Sequence, residues 1–152
     1  MLWKTHLAIG LAAALYFSMH VNYPMLFIAI TIASVFFPDI DSRFSYLGKN
    51  LVARPLQMAT DHRGIIHSYT LCILLSFGIA LLLPTVALPF FLGYSFHLLG
   101  DSFTPQGIRA FWPLKGISKG MIRTGGKIEK AIFYTFVIID VVLIGTIIYL
   151  TA

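Results

Sequence analysis

Charge in this chain is gathered into three places. All eleven Lys and Arg residues, five of the six acids and four of the five His lie at the N-terminal tip, in the stretch 38–67 or in the stretch 97–130. Strongly apolar segments with almost no charge separate them. Soluble domains carry about 25% charged residues, whereas here the charged share is 11% and the hydrophobic share 58%. The pattern therefore predicts an all-α integral membrane protein. Its 152 residues allow one membrane-embedded domain, 1–152, a bundle of about four or five transmembrane or re-entrant helices. The net charge of +5 does not point to nucleic acid, because the cations alternate with apolar spans. A lipid bilayer rich in anionic phospholipid is the expected partner. Cys72 is the single cysteine, so no internal disulfide is expected.

The apolar segments run over 7–19, 25–37, 68–83, 90–100 and 131–150. Only the last has the roughly 20 residues of a full crossing. The first two, split by Asn22-Tyr23-Pro24, read either as short spans or as a hairpin that enters and returns. Both bring the chain back to its starting side. The stretch 84–89, between Pro84 and Pro89, reads as an uncharged turn. Lys4 before an apolar run imitates a secretory signal, but no small-residue cleavage site precedes the turn at 20–24, so the segment is expected to remain. Every Lys and Arg falls on one side of this arrangement and none in the two opposite turns. The positive-inside rule then predicts a multi-pass protein of the inner (cytoplasmic) membrane with its N-terminus inside and its C-terminus outside.

The charged side also collects the groups that bind cations. His97 and Asp101 stand four residues apart on one helix face, so they either share an ion or form a helix-end pair in which the carboxylate accepts the imidazole proton. Asp39 and Asp41 follow Pro38, as ligands or as turn acids facing water. His62 and His67 flank Gly64, whose turn can aim both rings inward, and Asp61 beside them is a candidate cap or imidazole partner. His6 gains weight from lying on the same side. Ionisable residues at membrane depth are rare and usually functional. Seven nitrogen and oxygen ligands exceed the four of a structural zinc site, so a two-metal hydrolytic centre fits better. A mixed His and carboxylate set suits zinc first, with manganese or iron as alternatives.

Thr5-His6, Pro38-Asp39-Ile40-Asp41, His62-Arg63-Gly64-Ile65-Ile66-His67-Ser68, His97-Leu98-Leu99-Gly100-Asp101 and Phe103-Thr104-Pro105-Gln106-Gly107 with Trp112-Pro113 occur in order along nearly the whole chain. Together they resemble the YdjM-like, LexA-regulated inner-membrane proteins, which are classed as membrane-bound metal-dependent hydrolases. The resemblance implies a metal set of His6, Asp39, Asp41, His62, His67, His97 and Asp101. It implies an enzyme, a metal-dependent phosphoesterase or phospholipase-like hydrolase. Catalysis is placed on Asp41, His67 and Arg63. The looser pattern of His and Asp on a helical frame is similar to zinc-dependent phospholipases C, by analogy only.

The expected function is cleavage of a phosphate ester of a lipid or lipid-linked substrate by a metal-activated water, at a metal site on the cytoplasmic helix ends. Arg63 is a candidate phosphate clamp, while Arg109 reads as ordinary cytoplasmic charge. Lys115, Lys119, Arg123, Lys127 and Lys130 recur about every four residues and predict a helix along the membrane surface. Ser68 and Ser102 lack a separate base and are weak nucleophiles. Two other readings stay open: a metal-ion transporter or channel using Asp140 in the final span as a transit site, and a non-catalytic membrane protein with a structural metal. His20 falls on the opposite side, outside the site.

Overall fold

The computed structural model describes residues 1–41 and 64–152. Five α-helices and one 3-10 turn follow in order: α1 Trp3–Ser18, α2 Pro24–Val35, the turn Pro38–Asp41, α3 Tyr69–Leu82, α4 Pro84–Ser102 and α5 Lys127–Thr151. No strand occurs among the described residues, apart from an isolated antiparallel bridge between Ile108 and Ser118. The all-helical expectation holds.

Prolines and small polar residues set the boundaries. Pro24 and Pro84 stand in the first turns of α2 and α4, where a missing N–H leaves nothing unpaired. Ser68 caps α3 by accepting the Leu71 amide at 3.2 Å, which satisfies a free donor of the first turn. α3 stops at Leu83, directly before Pro84, because a residue preceding proline is pushed out of the helical region. Polar side chains inside the helices turn back onto their own backbone. Thr31 donates to the Phe27 carbonyl and Ser34 to the Ile30 carbonyl. Both residues are buried, and such bonds satisfy their hydroxyls inside the bundle.

Two expectations need correction. The uncharged stretch 84–89 is no turn: α4 begins at Pro84 and continues through Pro89. Pro89 is the sixth residue of α4, so it removes one regular bond of the ladder without ending the helix. The surface helix expected across Lys115, Lys119 and Arg123 is also absent. That region is turns and extended backbone, and only Lys127 and Lys130 fall on a helix, α5. Pro113, Gly116 and Gly120 interrupt it, and Gly125 takes φ +76, a left-handed geometry that glycine adopts freely.

α4 is the central element and packs on α1, α2 and α3, while α5 packs along α1. Gly93 lets α4 meet α2 closely: a Cβ there would lie 2.2 Å from the Thr31 carbonyl oxygen. The core is small, built on Cys72, Tyr94, Leu98 and Ile108. Much of the apolar surface faces outward instead, with Leu82 82% and Ile138 65% exposed. An apolar exterior of that extent marks a membrane or protein contact. α5 is the one described helix long and apolar enough to cross a membrane. α2 and α3, with 12 and 14 residues, reach only about 18–21 Å, short of a core roughly 30 Å thick. The two uncharged ends, at 20–23 and 84–89, meet around a shared pocket at the end of α1 remote from His6.

Candidate functional site

Four separate pieces of chain deliver ionisable groups to one place. His6 comes from the second turn of α1, Asp39 from the 3-10 turn, His67 from the residues just before α3, and His97 and Asp101 from the last turns of α4. All except Asp39 are buried, at 2% exposure or less. Asp101 is the hub. Its Oδ1 lies 3.2 Å from His6 Nε2 and also pairs with the Met1 amino group. Its Oδ2 lies 3.8 Å from His67 Nε2 and 3.9 Å from His97 Nε2. Asp39 Oδ1 approaches His97 Nε2 at 3.8 Å. The His6 and His97 rings stack with centroids 4.0 Å apart. Burial raises the Asp39 carboxyl above its ordinary value, and the neighbouring His6 and His67 charges oppose that.

Two overlapping donor sets result: His6, His97 and Asp101, and Asp39, His67 and His97, each with its ligand atoms within 4.8 Å of one another. Donors about 2.0–2.2 Å from a shared zinc ion stand roughly 3.3–3.6 Å apart in a tetrahedron. Within the sets, the separations of 3.2 Å for His6–Asp101, 3.9 Å for His97–Asp101 and 3.8 Å for Asp39–His97 bracket that range closely. Three protein donors per ion is the number typical of a zinc site that keeps a position for water or substrate. A plain hydrogen-bonded network explains the cluster less well. Nδ1 of His6 and Nε2 of His97 are buried without a hydrogen-bond partner, the carboxylate oxygens nearest His97 Nε2 standing 3.8 and 3.9 Å away. Buried polar atoms left so are uncommon, and a cation is one remedy. The residues present therefore fit a divalent metal.

His97 belongs to both sets, so a second ion requires further ligands. The remaining members of the ligand set expected from the sequence are Asp41, which is also a catalytic candidate, and His62; Arg63 is the candidate phosphate clamp. The Asp41 side chain, His62 and Arg63 lie outside the described residues.

Several positioning residues were not read from the sequence. Tyr94, fully buried, donates its hydroxyl to the Ile66 carbonyl and so ties α4 to the turn carrying His67. Thr104 donates to the Asp101 carbonyl at 2.7 Å, closing the end of α4. Glu129 is 1% exposed and accepts the Leu2 amide at 2.6 Å and the Gly125 amide, joining the starts of α1 and α5. Glu at the third position of a helix is a recognisable capping signal, and it was the only available clue. Ser68 and Ser102 donate to the Ile65 and Leu99 carbonyls, which agrees with their weak standing as nucleophiles. His20 lies at the other end of α1, exposed, with Nδ1 3.1 Å from the Tyr16 carbonyl oxygen.

No solved structure matches this chain. Two curated relatives, each called "Inner membrane protein YdjM", come from Escherichia coli (strain K12) and Shigella flexneri. Both are 36% identical over 87 residues, which is 51% of this chain and 44% of the relative. The match thus spans under half the length of those relatives. A family model described as "YdjM inner membrane protein" matches residues 1–151. With a match of that extent, the chain belongs to the YdjM inner membrane protein family.

Proposed function

We propose that this protein is a multi-pass membrane hydrolase that uses one or two divalent metal ions, zinc foremost, to cleave a phosphate ester of a lipid or lipid-linked substrate beside the inner leaflet. The observation that carries it is the convergence of His6, Asp39, His67, His97 and Asp101 into two buried three-donor sets. A bound divalent cation supplies Lewis acidity and makes a water acidic enough to attack near neutral pH. The chain's own groups do the rest. Asp39 and Asp101 balance the cation's charge, and the three imidazoles leave room for substrate by ligating through single atoms. Arg63 clamps the phosphate through a bidentate pair. The Lys and Arg residues of the 103–126 loop hold the anionic surface beside the site and keep this end cytoplasmic.

Metal analysis of the detergent-purified protein, with turnover of a phospholipid panel, tests the reading. At least one ion per chain is expected, lost together with turnover in His67→Ala and Asp101→Ala. Metal content below one ion per chain and unchanged in those variants removes the basis of the proposal.

One observation favours a second reading. Asp140 is 6% exposed within α5, and its Oδ1 has no hydrogen-bond partner. A carboxylate in that position suits a transit site for a metal ion or proton. Metal flux into proteoliposomes that vanishes in Asp140→Asn, with no lipid cleaved, would select transport over hydrolysis.

A further inference from the structure

A groove of about 360 Å³ lies where α1, the end of α4 and the start of α5 meet. Ile9, Phe96, Leu99, Phe103, Ile132 and Phe136 form most of its wall, which is almost wholly apolar. Its size falls among small-molecule sites, roughly 300–1,000 Å³. Gly100 forms part of the lining. A Cβ on Gly100 would lie 2.9 Å from His6 Cε1 and 3.0 Å from His6 Nδ1. The groove and the buried His/Asp cluster are thus separated by the thickness of one glycine, and the next residue is Asp101.

The surroundings restrict what can fill this space. One wall is α5, the helix long and apolar enough to cross a membrane, so the groove runs along an element that hydrocarbon would surround. Water is a poor occupant, because an apolar hollow offers it no hydrogen-bond partners. Left unfilled, the lining would lose its dispersion contacts. A flexible hydrocarbon chain meets all these conditions.

We propose that the groove holds one acyl chain of a phospholipid whose phosphate-bearing head reaches the His/Asp cluster past Gly100. The proposal rests on the hydrolytic reading and names how its substrate is held. A chain moving from bilayer to groove exchanges one hydrocarbon setting for another, so shape rather than burial selects it.

The test uses nanodiscs containing phosphatidylglycerol with a diazirine midway along one acyl chain, followed by mapping of the photolabelled residues. Labels should concentrate on the groove lining and fall several-fold in Ile132→Trp, which fills the space. Phe136→Ala, which enlarges it, should keep the labelling and move it deeper, toward Phe96. This second variant decides the matter if Ile132→Trp fails to fold. Labels spread evenly over Ile138, Val141 and Val142 on the exposed face of α5, equal in all three proteins, overturn the proposal. Lipid cleavage measured in the same discs separates the two claims. Cleavage with even labelling removes the groove and leaves hydrolysis standing, whereas groove labelling without cleavage supports the chain site and removes hydrolysis.

Discussion

The two ends of the bundle each hold polar groups, yet they differ in how those groups are satisfied. At one end, His20, Asn22 and Thr85 line a pocket of about 310 Å³ that contains no charged residue. His20 is exposed and bonded to a carbonyl of its own helix. It requires nothing else. At the other end, His97 is buried, and its Nε2 lies 3.8 Å from the Asp39 carboxylate of the 3-10 turn and 3.9 Å from the Asp101 carboxylate one turn along its own helix, beyond hydrogen-bond reach of either. Burial without a partner, rather than the presence of histidine, separates a candidate ligand from an ordinary surface group.

The sharpest way to break this contrast is Asp101→Ala. It removes the carboxylate that faces His6, His67, His97 and the Met1 amine. Loss of a group that merely orients a ligand weakens metal binding roughly 10–100-fold, so loss of the hub should exceed that and abolish measurable binding in a zinc titration. Gly100→Ala comes next. Its new methyl would press on the His6 ring at 2.9–3.0 Å, and a displaced ligand predicts roughly 10–100-fold weaker binding. The helix itself should tolerate the change, because alanine is favoured over glycine by up to about 1 kcal/mol. Unaltered affinity in this variant would mean that His6 is no ligand.

Tyr94→Phe should act more mildly. It removes the hydroxyl from the buried Ile66 carbonyl, a loss of about 1–3 kcal/mol in stability, read from thermal unfolding in detergent, together with a smaller fall in metal affinity. His20→Ala should do least, within about 0.5 kcal/mol and with full metal content. A His20 variant that lost metal would erase the difference between the two ends.

Much of this was legible in the sequence for a simple reason. Segregated charge can be satisfied only if the apolar segments return the chain to one end, and that logic groups His6, Asp39, Asp41, His62, His67, His97 and Asp101; five of the seven meet among the described residues, and the Asp41 side chain and His62 lie outside them. The i, i+4 spacing of His97 and Asp101 needed only helix geometry. The misses follow from other physics. Two prolines suggested a turn at 84–89, but tertiary packing on α2 kept the helix going through Pro89. The periodic lysines suggested a surface helix, and the glycines and prolines among them prevented it. Tyr94 and the apolar groove could not be foreseen, because each depends on how α4 lies against its neighbours, which no local pattern encodes.

The Tyr94 hydroxyl has a mechanical corollary. α4 carries His97 and Asp101 on itself and grips the backbone beside His67 through that phenol, seconded by the Tyr69 hydroxyl, which donates to the Ser95 carbonyl. Rotation of this single rod would therefore swing three of the five clustered groups together. Damage to it should show as chains that either keep all their ions or lose them, with few half-loaded molecules between.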